Sequence, residues 1–207
     1  MLDRWTLQLI KKPLHRGGCL LQRYGVKPDQ VTLSGFVVGI LCLPALGMKW
    51  YWLALVCILL NRLADGLDGE LARLVGPTDS GGFLDIVLDF IFYGAVVFGF
   101  ALADPGQNGL AAAALLFSFI GTGSSFLAFA IMAERRGIKK IAYPKKGIYY
   151  LEGLAEGTET ILFFILFCLF PGFFVPLAYC FACICLVTVL TRVAGGYLTL
   201  KKNDGYG

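Results

Sequence analysis

Apolar residues fall along the chain in long unbroken blocks rather than alternating with polar ones. Six blocks stand out, over residues 31–46, 50–75, 81–103, 110–133, 154–170 and 174–200. Each approaches or exceeds the roughly 20 residues that carry a helix across a bilayer. Turn-forming residues separate several of them: Gly47-Met48-Lys49, Gly76-Pro77-Thr78-Asp79, Asp104-Pro105-Gly106 and Pro171-Gly172. No ten-residue alternation of the kind a barrel requires is visible. In lipid the backbone of a spanning segment must satisfy its own hydrogen bonds, so the blocks predict helices. The fold expected is an all-α integral membrane protein with six transmembrane helices.

Composition strengthens this reading. The 207 residues are 57% hydrophobic and 15% charged, with mean hydropathy +0.73. A soluble domain has about 45–50% apolar and about 25% charged residues. The balance excludes a disordered chain, a nucleic-acid reader and most cytosolic enzymes. Six spans with short loops leave no room for a second soluble domain. The expected organisation is one membrane domain over residues 1–207: a cytoplasmic interfacial segment over 1–30, a bundle over 31–200 and a tail over 201–207.

The net charge of +4 is explained by loop placement. Residues 1–30 hold Arg4, Lys11, Lys12, Arg16, Arg23 and Lys27, and the fourth connection holds Arg135, Arg136, Lys139, Lys140, Lys145 and Lys146. Lys201 and Lys202 lie in the tail, whereas the opposite connections carry only Lys49. The asymmetry predicts both termini in the cytoplasm. The N-terminal stretch is broken by Lys11, Lys12 and Pro13 and has no cleavage pattern, so it does not read as a signal peptide. Leu2, Trp5 and Leu9 share a helical face among basic residues. That suits either an interfacial helix or a plain basic leader. Trp50, Tyr51 and Trp52 mark a headgroup boundary. The seven cysteines are odd in number and mostly inside apolar runs, so they form no disulfide framework.

Chemistry concentrates in two blocks. Asp65 and Asp68 lie in the second and Asp85 and Asp89 in the third. An ionisable residue at the bilayer centre costs at least about 2.5–3.5 kcal/mol, so four must face one another, water or cations. Asp65, Asp68, Gly69 and Ala72 cover about 100° of one helix face, and Gly81, Asp85 and Asp89 about 80° of the next. The short turn between the helices makes them antiparallel neighbours. Converging carboxylates repel unless a cation bridges them, and all-oxygen ligands select Mg²⁺, Mn²⁺ or Ca²⁺ over zinc. Two divalent ions held by four aspartates are suited to grip a diphosphate. Gly69, Ala72 and Gly81 are small enough to let a nucleotide approach the backbone.

The run Asp65-x2-Asp68-Gly69-x2-Ala72-Arg73-x7-Gly81-x3-Asp85-x3-Asp89 resembles the signature of the CDP-alcohol phosphatidyltransferase family at every position. The layout of six helices with a basic cytoplasmic side is similar too, and extends the likeness over the whole chain. The likeness is greatest to a short group of bacterial inner-membrane members. Members often carry Pro-Asn-x-x-Thr before the first span, where this chain has Pro28-Asp29-Gln30-Val31-Thr32. The resemblance implies transfer of a phosphatidyl group from CDP-diacylglycerol to an alcohol, with release of CMP, by a homodimer whose site faces the cytoplasm. It also implies roles. Asp65, Asp68 and Asp85 would hold two Mg²⁺ or Mn²⁺ ions. Asp89 would be shared between metal and proton abstraction. Gly69, Ala72 and Gly81 would border the cytidine, Arg73 would touch the diphosphate, and Thr32 would belong to the donor site.

The acceptor is less legible. Arg192 lies within the sixth block, and Arg135, Lys139 and Lys140 near the fourth connection. They suit a phosphorylated acceptor, glycerol 3-phosphate first and an inositol phosphate second; free inositol and serine are further candidates. Equally, Arg192 can pair with Glu156 or Glu159 or snorkel to the surface, and the loop lysines can serve topology alone. Glu152, Glu156 and Glu159 form one stripe that suits polyol hydroxyls or Arg192. Glu70 and Asp79 read as turn or surface charges and His15 as part of the leader. A cation carrier is the competing class, but the acids cluster at one end and no inverted repeat is visible. The intact signature argues against an inactive scaffold.

Overall fold

The computed structural model describes residues 3–137 and 157–202. Every regular element among them is helical. In chain order they are α1 (Asp3–Arg23), α2 (Pro28–Ile40), α3 (Cys42–Gly47), α4 (Tyr51–Val75), α5 (Asp79–Ala103), α6 (Pro105–Arg135), α7 (Gly157–Leu169) and α8 (Phe174–Lys202). A 3₁₀ turn, Pro171–Phe173, leads into α8.

Helix boundaries follow local chemistry. Pro28 opens α2 at a position that needs no N–H, and the Lys27 N–H donates to Gln30 Oε1 at 3.0 Å. Thr78 caps α5 by accepting the Gly81 N–H at 3.1 Å. Asp104 caps α6 by accepting the Gln107 N–H at 3.0 Å, with Pro105 next. At the C-terminal end of α4, Gly76 takes φ 103°, a conformation a side chain would strain. The block over 31–46 is split at Leu41, between α2 and α3. Pro44 lacks an N–H and its ring crowds the carbonyl of residue 40, which interrupts the helix there.

Four segments among the described residues are long and apolar enough to cross a membrane: Pro28–Gly47, Asp79–Ala103, Pro105–Arg135 and Pro171–Lys201. The sequence predicts six. The fifth candidate, α4, has 25 residues but carries Arg62, Asp65, Asp68, Glu70 and Arg73. The sixth, α7, has 13 described residues, about 20 Å of helix against a hydrocarbon core of about 30 Å. Residues 138–156, which contain Lys139, Lys140, Lys145, Lys146, Glu152 and Glu156, lie outside the described residues. So do the side chains of Leu2, Trp5 and Leu9.

The helices pack as a ring: α2 on α4, α4 on α7, α7 on α8, α8 on α6, α6 on α5, and α5 back on α2. Helix α1 lies against α4, and α3 against α4 and α5. One expectation is corrected here. Helices α4 and α5 are joined by a short turn, yet they do not pack along one another; α2 packs against both. The physical reason is the acids: two carboxylate-bearing faces cannot close on each other. Small residues let α2 in. A Cβ on Gly35 would collide with Ala64, and one on Gly39 would lie 2.8–2.9 Å from the Asn61 side chain.

The bundle interior is aromatic, from Phe92 beside Arg62 onward. Phe92, Phe100, Phe164, Phe167, Phe174 and Phe181 are fully buried. Phe100 stacks on Phe174 with centroids 4.7 Å apart, and Phe163 stacks on Phe181 at 4.3 Å. Such pairs each contribute about 0.5–1.5 kcal/mol beyond area burial.

The Gly35 contact generates a test. Gly35→Ala is expected to cost about 1–3 kcal/mol through overpacking and to lower the melting temperature in detergent. Gly109→Ala meets nothing within 4 Å and should leave melting unchanged or raise it. Equal melting of the two variants would contradict the close α2–α4 packing.

Candidate active site

Two clefts open beside the splayed α4–α5 pair. The first has a volume of about 370 Å³ and is built from the start of α2, the end of α4 and the start of α5. Thr32, Asp68, Gly69, Ala72, Gly81 and Asp85 line it, as do Lys27 and Asp29. The absence of side chains at Gly69 and Gly81 leaves the backbone open to a ligand. At Gly81 a Cβ would stand 3.0 Å from both Asp29 Oδ1 and Thr78 Oγ1. Thr32 donates its hydroxyl to the Pro28 carbonyl at 3.1 Å, within the first turn of α2.

Asp68 and Asp85 line this cleft, and both also line a smaller adjoining pocket with Asp65 and Asp89. Asp65, Asp68 and Asp85 each offer an oxygen, and these oxygens lie within 4.8 Å of one another. Asp68 is 5% exposed, and its buried Oδ2 has no hydrogen-bond partner among the described residues. An orphaned buried carboxylate oxygen beside two more carboxylates fits a hard divalent cation, whose charge would offset their repulsion.

Asp89 is placed differently. It lies one turn along α5 from Asp85, and its two oxygens are engaged by neighbours. Arg62 Nη2 donates to Oδ1, and the Tyr93 hydroxyl donates to Oδ2 at 3.2 Å. Arg62 also reaches Asp65 Oδ2 at 3.4 Å. No sequence pattern assigns Arg62 a role. A lone cation three residues before Asp65 carries no signal of a partner on another helix. The α4–α5 gap is bridged by this guanidinium.

The second cleft, about 390 Å³, lies on the other side of Asp85. Asp85, Asp89 and Tyr93 form one wall, and Thr122, Phe126, Thr160 and Arg192 line the rest. Arg192 Nη1 donates to the Thr122 carbonyl at 3.3 Å, and its guanidinium lies 5.7 Å from the Phe126 ring centroid. Thus Arg192 is brought to the site, while Arg135 is exposed at the end of α6 and does not line the cleft. Lys139 lies outside the described residues.

Arg73 does not line the first cleft; its Nη1 would lie 3.8 Å from a Cβ on Gly69, which does, and its side chain is held by Glu70. Its Nε and Nη2 donate to Glu70 Oε2 at 3.1 and 2.7 Å. Glu70 Oε1 lies 2.7 Å from Nδ1 of His15 on α1. Glu70 is 7% exposed, so the surface-charge expectation is corrected: this carboxylate ties α1 to Arg73. Fifty-five residues separate His15 from Glu70, and no pattern along the chain connects them.

Residues 26–194 match the family model of the CDP-alcohol phosphatidyltransferases. The chain is a member of that family. It is 57% identical over 202 residues to the inner membrane protein YnjF of Escherichia coli, covering 98% of both chains. It is 35% identical over 94 residues to archaetidylinositol phosphate synthase of Pyrococcus horikoshii, covering 45% of this chain and 50% of that one. It is 36% identical over 123 residues to phosphatidylinositol phosphate synthase of Streptomyces avermitilis, covering 56% and 50%. The fold is that of the crystallised phosphatidylinositol phosphate synthase of Mycobacterium tuberculosis with CDP-DAG bound. The TM-score is 0.65 at 20% identity, over 89% of this chain and 93% of that chain.

The carboxylate triad yields a direct prediction. Asp68→Asn removes one charged ligand and should weaken Mn²⁺ binding on the order of tenfold or more. Titration followed by electron paramagnetic resonance reads the loss, and melting in detergent checks the fold. Unchanged Mn²⁺ affinity in a folded variant would remove the triad as the cation site.

Proposed function

We propose that the chain transfers a phosphatidyl group from CDP-diacylglycerol to a phosphorylated polyol and releases CMP, at the cytoplasmic face of a bacterial inner membrane. The observation that carries the reading is the shared wall. A cleft suited to a nucleotide diphosphate and a cleft holding Arg192 meet at Asp85. An inositol phosphate is the favoured acceptor, ahead of glycerol 3-phosphate. The sequence alone gave the opposite order. Two relatives named as inositol phosphate lipid synthases support the change. The excess of basic residues on one set of connections supports the cytoplasmic orientation, and the family resemblance supports a homodimer.

Asp65, Asp68 and Asp85 would hold a divalent ion, which would supply positive charge to the donor diphosphate and to the leaving phosphate. The protein's own groups do the rest. Gly69, Ala72 and Gly81 admit the cytidine to the backbone, and Lys27 and Arg73 flank it with positive charge. Arg192 holds the phosphate of the acceptor and so aims its hydroxyl at Asp89. Asp89, oriented by Arg62 and Tyr93, takes the hydroxyl proton. The acceptor oxygen bonds to the β-phosphorus as the bond from that phosphorus to the bridging oxygen breaks, and the bridging oxygen leaves with CMP. Closing two substrates around one wall supplies proximity.

Purified protein, labelled CDP-diacylglycerol and a panel of alcohols test the proposal. CMP release should depend on acceptor, favour inositol phosphate, vanish in excess EDTA and return with Mg²⁺ or Mn²⁺. Arg192→Ala removes a charge-assisted contact of about 1.5–3 kcal/mol. The KM for the phosphorylated acceptor should therefore rise about tenfold to a hundredfold, with the donor KM little changed. If serine or free inositol is the best acceptor and Arg192→Ala leaves its KM alone, the phosphate-binding role is wrong.

A further inference from the structure

The four signature aspartates do not share one environment. Three of them converge with free valence, including the orphaned Asp68 Oδ2. The fourth, Asp89, is taken by a guanidinium that also reaches Asp65. A second divalent ion between Asp65 and Asp89 would need the oxygens that Arg62 already holds, and would stand against its positive charge.

The Arg62 side chain is not free to withdraw. It is 16% exposed. Its Nε and Nη2 donate to Asn61 Oδ1 at 3.1 and 2.9 Å, and Nη1 donates to the Tyr93 hydroxyl at 3.2 Å. The guanidinium carbon lies 5.5 Å from the ring centroids of both Phe92 and Tyr93. Asn61 is in turn fixed by donating to the Gly35 carbonyl of α2 at 3.2 Å. Residues of α4 and α5 thus hold the cation in place, with α2 bracing Asn61. A planar, permanently charged fork suits this bridging position.

We infer that Arg62 is a built-in cation of the site: the chain binds one divalent ion, in the Asp65–Asp68–Asp85 triad, and Arg62 supplies the second positive charge between Asp65 and Asp89. It acts through Asp89, so it is a positioning residue. It fixes which Asp89 oxygen faces the second cleft and removes the place a second ion would take. This inference rests on the triad being a cation site, and it is independent of which acceptor is used.

The experiment counts ions. Detergent-purified wild-type protein is equilibrated with Mn²⁺, without and with CDP, and bound metal is measured by stoichiometric titration and electron paramagnetic resonance. The wild type should bind one Mn²⁺ per chain with an uncoupled six-line spectrum in both conditions. Arg62→Gln should bind two, with the line broadening of a coupled pair, and Arg62→Lys should return to one. A coupled pair in wild type overturns the inference, and this arm needs no variant to fold. One ion in both wild type and a folded Arg62→Gln overturns it as well. No bound Mn²⁺ in wild type would overturn the triad reading and this inference with it, whereas loss of CMP release with one ion still bound would fault the proposed function alone.

Discussion

Three carboxylates whose oxygens lie within 4.8 Å of one another, with a fourth one turn further along α5, set the terms for the rest of the bundle. At 4–5 Å each ionised pair repels by about 3–4 kcal/mol at an effective dielectric of about 20. That repulsion opposes direct packing of α4 on α5. The structure instead holds the two helices apart with α2 between them, and spans the gap with one guanidinium. The gap so created becomes the reaction space. Removing Arg62 therefore alters more than one ion pair, because it is a link across the opening.

The same constraint shapes the interior. Stability has to come from apolar contacts, and these are built of phenylalanine, from Phe92 beside Arg62 onward. Ring contacts tie α5, α7 and α8 together around Phe100, Phe167 and Phe174. The clefts can then remain open without loosening the whole. Small residues serve the packing and the clefts in different ways. Gly35 and Gly39 admit α2 beside α4, whereas Gly69 and Gly81 leave space for a ligand.

Much of this was legible along the chain. Long apolar blocks predict helices because lipid leaves the backbone no other choice, and the acids at fixed spacing predict a convergent face. What could not be read depends on contacts between distant residues. Arg62 looks like any lone cation in a span until α5 presents Asp89 and Tyr93 to it. Glu70 follows two signature residues and reads as a turn charge until α1 brings His15 against it. Side-by-side packing of α4 and α5 is the natural expectation for a short connection, and electrostatic repulsion overrides it. The 31–46 block reads as one helix because its hydropathy is continuous, while Pro44 breaks it at Leu41.

The wall formed by Asp85 also bears on how such a chain can diversify. The first cleft is lined largely by positions that belong to the signature run. Beyond its α5 wall, the second is lined by residues of α6, α7 and α8, Thr122, Phe126, Thr160 and Arg192 among them, all outside that run. Substitutions there can reshape what is recognised while the reacting groups on α4 and α5 stay as they are. The bundle thus keeps the reacting groups and the second cleft's recognition surface on different helices, with a single aspartate as the joint between them.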